Sequence, residues 1–349
     1  MTTADRTSSG LPARAVSVPP TTDGSGSTPG VHVVVPTHTP RYLDLVLAAF
    51  GLQTRPPETV VVAADSDDPA IGRVMDEVWP RVVERLTRRG IAAPTLVHVS
   101  RPHQGEARLN QNRNNGLRAL EQHAALNDAD LVVLVDGDTL LAEDAGQRYA
   151  ALAAQGVELV IPFRVDLRPD VSAEMCLDRL LGDDHKPLGH LATAREYERL
   201  EVRERRYLRQ LRQRAGVERR MGLVKPHKPK VLGGHHAVSV GRLRQVNGFD
   251  ERYTGWGFDD DELARRLHAI RPMVRCEIAV RTIMAFHLWH ESRAPKRLSE
   301  SPGHALFNVR PFPRRAEFGW DRPTEQTAPV TRIVAGSTNA SVGAGAPAH

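Results

Sequence analysis

Three groups of ionisable residues stand out in this chain by type and spacing. Asp136-Gly137-Asp138 directly follows the apolar run Leu131–Val135, so two carboxylates leave the end of a buried strand with a glycine between them. Acids at i and i+2 on a turn can converge on one hard cation, and a divalent ion held by one or two carboxylates keeps positions open for phosphate oxygens. Asp and Gly are also ordinary turn residues, so the strand before the triplet gives it meaning. The second group is Asp259-Asp260-Asp261-Glu262, preceded by Gly255-Trp256-Gly257-Phe258. Acids in a first helical turn complement the helix dipole, but four adjacent like charges repel unless some are engaged. The Gly-Trp-Gly corner offers an indole face for stacking on a ring. The third group is His287-Leu288-Trp289-His290. Histidines at i and i+3 can share a metal on a helix or turn, whereas a strand would separate them. Asp183-Asp184-His185 is a weaker rival, in a stretch with no strand to hold it.

The elements that must position these groups follow from hydrophobic periodicity. Val31–Val35 reads as a buried strand ended by Pro36, Thr37 and His38; Tyr42, Leu45, Val46, Ala49 and Phe50 recur at helical spacing; and Thr59–Ala64 is a second apolar strand closing on Asp65. Strand, helix and strand in so short a span make a βαβ unit. Helices over 71–89 and 111–125 alternate with strands at 95–99, 131–135 and 157–162. This pattern predicts an α/β fold with a mostly parallel sheet and helices on both faces. Tyr197, Leu200, Leu208, Leu211 and Ala215 form a narrow apolar stripe on an Arg/Glu-rich helix, and the four acids open another helix over 260–270.

The chain has 349 residues, 40% hydrophobic and 26% charged, with two cysteines, which excludes a disulfide mini-protein, a collagen-like repeat and a wholly disordered chain. Residues 1–30 and 321–349 read as disordered tails around one domain over 31–320, rich as they are in Thr, Ser, Pro, Gly and Ala. No export signal or membrane-length apolar run is visible, so a cytoplasmic location is expected, with Cys176 and Cys276 reduced. The net charge is +5, from 47 Lys and Arg against 42 Asp and Glu. Residues 191–230 alone carry thirteen basic and five acidic residues, or +8, leaving −3 for the rest. Such a segment is either a solvated helix laced with Glu–Arg pairs or a patch for a phosphate, an anionic surface or nucleic acid. Without interleaved aromatics it does not look like a common nucleic-acid reader.

Taken together, these residues resemble the nucleotide-sugar glycosyltransferases of the GT-A fold, in particular family 2 and the related galactosyltransferase-like C-terminal motif. The resemblance runs from Val31-His32-Val33-Val34-Val35-Pro36-Thr37 through Asp65, Arg113-Asn114-Asn115-Gly116 and Asp136-Gly137-Asp138. It continues through Gly233-Gly234, Val246-Asn247-Gly248-Phe249-Asp250-Glu251, Gly255 to Leu263 and His287 to His290. It implies a Rossmann-like nucleotide-binding half over 31–140 and an acceptor half over 141–320 with a basic helical insert at 190–221. In such enzymes Pro36, Thr37 and Asp65 would border the nucleoside, and Arg113, Asp136 and Gly137 would lie by the nucleotide sugar. Asp138, helped by Asp136, His287 and His290, would ligate Mn2+ or Mg2+, and imidazole donors favour manganese. Gly234, His235, Trp256, Gly257 and Asp259 would border the donor and acceptor sugars, and Asp260 would be the catalytic base. The implied activity is inverting transfer from a nucleotide sugar, with UDP favoured, to a carbohydrate, lipid-linked or natural-product acceptor. Arg205, Arg206 and Arg209 of the basic stretch could then flank the acceptor cleft or touch an anionic surface. The rival expectation is a non-catalytic scaffold of the same shape whose basic helix engages nucleic acid or such a surface.

Overall fold

The structure is a computed structural model that describes residues 28–103, 105–291, 298–324 and 329–335. The leader up to residue 27 and residues 336–349 therefore lie outside the described residues. The β-branched runs form β1 (Val31–Thr37), β2 (Thr59–Asp65), β3 (Thr95–Arg101) and β4 (Leu131–Val135). After them come β5 (Thr139–Leu141), β6 (Leu159–Ile161), β7 (Val165–Asp166), β8 (His235–Ser239), β9 (Cys276–Ile278), β10 (Ala285–His287) and β11 (Val330–Ala335). The helices are α1 (Leu43–Leu52), α2 (Pro69–Arg88), α3 (Leu109–His123), α4 (Ala145–Ala154), α5 (Pro169–Ala173) and α6 (Leu177–Leu181). They continue with α7 (Ala194–Ala215), α8 (Val217–Arg220), α9 (Val240–Val246), α10 (Asp259–Ala269) and α11 (Gly303–Phe307).

Eight strands form the main sheet in the order β11-β3-β2-β1-β4-β8-β6-β9. β8 and β11 run antiparallel to their neighbours and the other six are parallel, as the alternation of apolar runs and helices predicts. Every residue of β1, β2 and β4 is buried, so both faces of the sheet centre are covered. The C-terminal ends of β1, β2 and β4 bring Thr37, Asp65 and Asp136 to one edge, where open α/β sheets collect ligands. Residues 330–335 depart from expectation. Placed in an unstructured tail by composition, they form β11, whose Val330, Ile333 and Val334 supply the β-branched residues and whose Arg332 reaches Asp76 at 3.0 Å.

α3 is the element that ties the sheet to the rest. Its residues 110–115, Asn-Gln-Asn-Arg-Asn-Asn, are buried although polar, because loop and strand ends surround them with carbonyls. Asn112 donates to Thr37 O at 3.2 Å and Ala63 O at 2.7 Å, clasping the ends of β1 and β2. Asn114 donates to Phe249 O at 2.8 Å and accepts from Phe249 N at 2.9 Å, fixing the loop before the acid-rich helix. Within α10 itself, Glu262 and Arg266 are fully buried at 2.6 Å from each other, and Arg266 also donates to Val246 O and Gly248 O.

Helix and sheet touch at Gly116, where a Cβ would stand 2.4 Å from Val34 Cγ1 and 3.3 Å from the Ala63 Cβ. Gly116→Val should therefore overpack this contact and cost about 1–3 kcal/mol. A lowered urea midpoint at unchanged slope is the expected result; an unchanged midpoint would show that α3 shifts freely on the sheet.

Candidate active site

The small sheet β5-β10-β7 assembles one half of the site. β10 lies between β5 and β7, so that His287 stands opposite Thr139 on one side and Asp166 on the other. Beyond it Leu288 N donates to Asp138 O at 2.8 Å, which presses the chain against the Asp-Gly-Asp turn. Trp289 is pinned by Ser172 Oγ, which accepts from its N–H at 2.9 Å, and by the Tyr42 hydroxyl, which donates to its carbonyl at 2.9 Å. As a result His287 Nε2 lies 3.5 Å from Asp138 Oδ1, and His290 Nε2 lies 3.1 Å from Asp138 Oδ2. The strand ends at His287, so the two rings fall on one side instead of being separated. One ligand atom from each of Asp138, His287 and His290 lies within 4.8 Å of the others, a carboxylate-and-imidazole set that suits a divalent transition metal.

One group, Asp166, supports this triad from behind. His287 Nδ1 meets Asp166 Oδ1 at 3.1 Å, the kind of outer partner that fixes the tautomer and ring plane of a metal-binding histidine. Burial pulls the His287 pKa down, but its hydrogen bonds to Asp138 and Asp166 prevail and hold it at about 9, so the metal-free ring is an imidazolium. Asp138 is lowered in turn: burial opposes its charge, and the His287 hydrogen bond outweighs that.

The acids of α10 stand on the other side of Asp136, whose charge Asp260 feels. The corner before them takes positive φ at Gly255 (70°), Gly257 (106°) and Phe258 (68°), which turns the chain sharply into the helix. Arg113, a fully buried guanidinium, reaches from α3 to Asp259 Oδ2 at 3.0 Å and Asp260 Oδ1 at 3.3 Å, and donates to Gly233 O at 3.1 Å. Gly233 must be glycine, since a Cβ there would lie 2.3 Å from Asp260 Oδ2. Asp260 is recessed in the cleft yet 29% accessible. Burial, and after it the Asp259 charge, push its pKa up to about 8 against the pull of Arg113. Asp136 is raised as well, first by burial and then by Asp138.

Not every residue singled out in the sequence occupies its expected place. Asp136 is outside the metal-competent set and pairs instead with Arg164 at 3.5 Å. Arg113 is committed to the α10 acids and is 1% exposed, which leaves it no open face for a nucleotide. His235 is a core residue: its Nε2 meets the buried Tyr149 hydroxyl at 2.7 Å, and burial lowers its pKa to about 3, so it does not border a sugar. Asp65 is buried against Arg101, 3.0 Å from its Nε, and accepts from Arg108 N at 3.2 Å. Thr37 and Gly137 are in contact beside Pro36, whose carbonyl accepts from Gly137 N at 3.1 Å. Gly234 makes room for Arg164, whose Nη1 would be 2.0 Å from a Cβ there. Trp256 is 54% exposed. His185 of the rival cluster is taken by Glu143 at 3.0 Å and Asp183 by Arg88 at 3.9 Å. Arg164 and Asp166 were missed by sequence reasoning, although their i, i+2 spacing in a strand puts opposite charges on one face; they lie 3.4 Å apart.

Residues 222–287 match the model of a family described as the N-terminal domain of galactosyltransferase. No curated protein sequence matches the chain. Among solved structures, GalNAc-T7 with UDP, GalNAc and Mn2+ aligns with TM-score 0.44 at 14% identity, over 80% of this chain and 46% of that one. The catalytic domain of Drosophila beta1,4galactosyltransferase 7 with xylobiose aligns with TM-score 0.39 at 15% identity, over 87% and 92%. Glucosyl-3-phosphoglycerate synthase from Mycobacterium tuberculosis with Mn2+, UDP and glucosyl-3-phosphoglycerate aligns with TM-score 0.36 at 15% identity, over 76% and 73%. This chain spans under half the length of the GalNAc-T7 chain.

The raised His287 pKa has a testable sign. A histidine at about 9 in the fold and 6.5 in its ordinary state adds stability that is complete below pH 6.5 and is lost as the pH rises through 9. In EDTA the melting temperature should fall from pH 6.5 to 9 more steeply for the parent than for His287→Gln, and Mn2+ binding at pH 7 should release a proton. Identical slopes in the two proteins would contradict the pairing.

Proposed function

We propose that this protein is an inverting, metal-dependent glycosyltransferase that moves a sugar from a nucleoside diphosphate, UDP being favoured, to an acceptor hydroxyl. What supports this reading is the metal-competent set Asp138, His287 and His290 next to Asp136, whose charge is felt in turn by a carboxylate, Asp260, of raised proton affinity. A purely anion-binding scaffold has no use for that pairing.

Asp138, His287 and His290 would hold Mn2+, which when bound supplies positive charge to the diphosphate leaving group. For that role His287 gives up its Nε2 proton while Asp166 keeps hold of Nδ1. Asp260 accepts the acceptor hydroxyl's proton as that oxygen attacks the anomeric carbon. The anomeric bond to the diphosphate breaks on the opposite side, its electron pair leaving on the phosphate oxygen, and the new glycosidic bond forms with inversion. Arg113 keeps the Asp260 carboxylate aimed into the cleft. Trp256 stacks on a sugar ring, and Pro36, Thr37, Gly137 and the Asp65–Arg101 pair border the nucleoside.

Asp260→Asn removes the proton acceptor alone, so kcat should fall by about 10²–10⁴ with UDP and Mn2+ binding kept. In the parent enzyme kcat/KM should climb with pH and level off above about 8, as Asp260 loses its proton. Asp138→Ala should abolish the Mn2+-dependent thermal shift given by UDP. Near-normal turnover of Asp260→Asn in a sugar-transfer assay would remove the base assignment.

A further inference from the structure

Beyond the end of α7 the chain leaves several large apolar side chains in water at one place. Val217, Met221 and Leu223, which fall within seven residues on α8 and the turn after it, are 60%, 65% and 69% exposed. Single apolar residues on a surface are ordinary, but a group of them marks a contact. The turn is held by its own backbone: Met221 N donates to Val217 O at 3.1 Å, Gly222 N to Arg219 O at 3.1 Å and Leu223 N to Glu218 O at 2.9 Å. Gly222 takes φ 72°, and a Cβ on it would meet no atom within 4 Å, so the turn is a projecting tip. The segment behind it is tied down. Arg214, buried at the end of α7, donates to the carbonyls of Lys225, Pro226 and Lys228 at 3.2, 2.6 and 2.6 Å. A second segment widens the tip, because Arg219 Nη1 lies 3.5 Å from Met273 Sδ and so brings the loop between α10 and β9 alongside α8. Met273 is exposed, as are Arg271 and Pro272 before it.

The charge around the tip has one sign. Residues 212–225 hold five basic residues and one acid, Glu218, whose carboxylate folds back so far that a Cβ on Gly216 would stand 2.4 Å from its Oε2. Further up α7, Arg205 pairs with Glu201 at 3.4 Å, whereas among the described residues no ion pair engages Arg219 or Arg271. A convex tip gives a small molecule no concavity to fill. It suits the surface of an anionic bilayer, where Val, Met and Leu side chains enter the boundary of the acyl chains while guanidinium groups stay among the phosphates.

We propose that the tip formed by Val217, Met221 and Leu223, with Met273 beside it and Arg219 and Arg271 as its cations, docks the protein on a membrane surface rich in anionic lipid. This docking does not rest on the transferase reading. The test is co-sedimentation of the full chain, without metal or nucleotide sugar, with phosphatidylcholine vesicles that contain or lack phosphatidylglycerol. Binding is expected to the vesicles with phosphatidylglycerol and to weaken as salt is added. Met221→Ser/Leu223→Ser and Arg219→Gln/Arg271→Gln should each weaken it by about tenfold or more. Val330→Ser/Ile333→Ser removes two exposed apolar side chains from β11, at the opposite end of the sheet from β9, and should bind like the parent. Melting temperatures equal to the parent's show that each variant is folded. A tryptophan introduced by Leu223→Trp reads the contact directly, and its emission should move to the blue on the anionic vesicles alone. No binding to the anionic vesicles, binding untouched by the tip changes, equal loss in the β11 control, or an unmoved tryptophan emission would overturn the proposal. So would self-association that the tip changes abolish in a protein that binds no vesicle, since the tip would then meet a second copy of the chain.

Discussion

The site depends on one buried cation. Arg113 has given up its water for three partners, Asp259, Asp260 and the Gly233 carbonyl, each delivered by a segment more than a hundred residues away. Desolvating a guanidinium is costly, and here two carboxylates compensate it so well that its proton affinity rises above the ordinary value despite burial. The compensation runs both ways, because the same contact holds Asp260 at a fixed place in the cleft without neutralising it. The proposed role of taking a proton requires a group that is charged for part of the time. Burial and Asp259 push Asp260 towards the neutral form and Arg113 pulls it back, leaving it close to the pH at which proteins work.

The opposite wall uses backbone pairing where this one uses charge. Three strands of two or three residues would be worth little alone, yet they fix the register that sets His287 beside both Asp138 and Asp166. The Leu288 amide on the Asp138 carbonyl carries that register on to His290. The two walls are joined through α3, whose Asn112 holds the ends of β1 and β2 while its arginine holds α10. A run of amides buried in a helix is unusual only if its partners are ignored, and here Asn110, Asn112 and Asn114 each donate to a backbone carbonyl.

What could be read in the sequence follows the length of each pattern. β1, β2 and β4 are apolar runs of five residues or more, and the helices between them show clear periodicity, so the parallel half of the sheet was legible. β5, β7 and β10 are too short to show any period, and with them the reason why His287 and His290 converge was hidden. Asp138, Asp260 and the two histidines could be picked out because their residue types carry chemistry on their own. His235 misled because the resemblance sets it beside the sugars, whereas its strand is buried on both faces. The +8 stretch was visible as charge, but which of its residues are buried, Arg214 among them, depends on how α7 is rotated about its axis.

β11 carries a consequence for the order in which the molecule is completed. It caps the outer edge of β3, yet it leaves the ribosome last among the described strands, long after β3 and the strands beside it have been made. Until then the nascent sheet presents an open row of amides and carbonyls from Thr95 to Arg101, a template for pairing with another chain. Residues 330–335 thus serve as the closing seam of the sheet, and a growing polypeptide stays adhesive along that margin until they arrive.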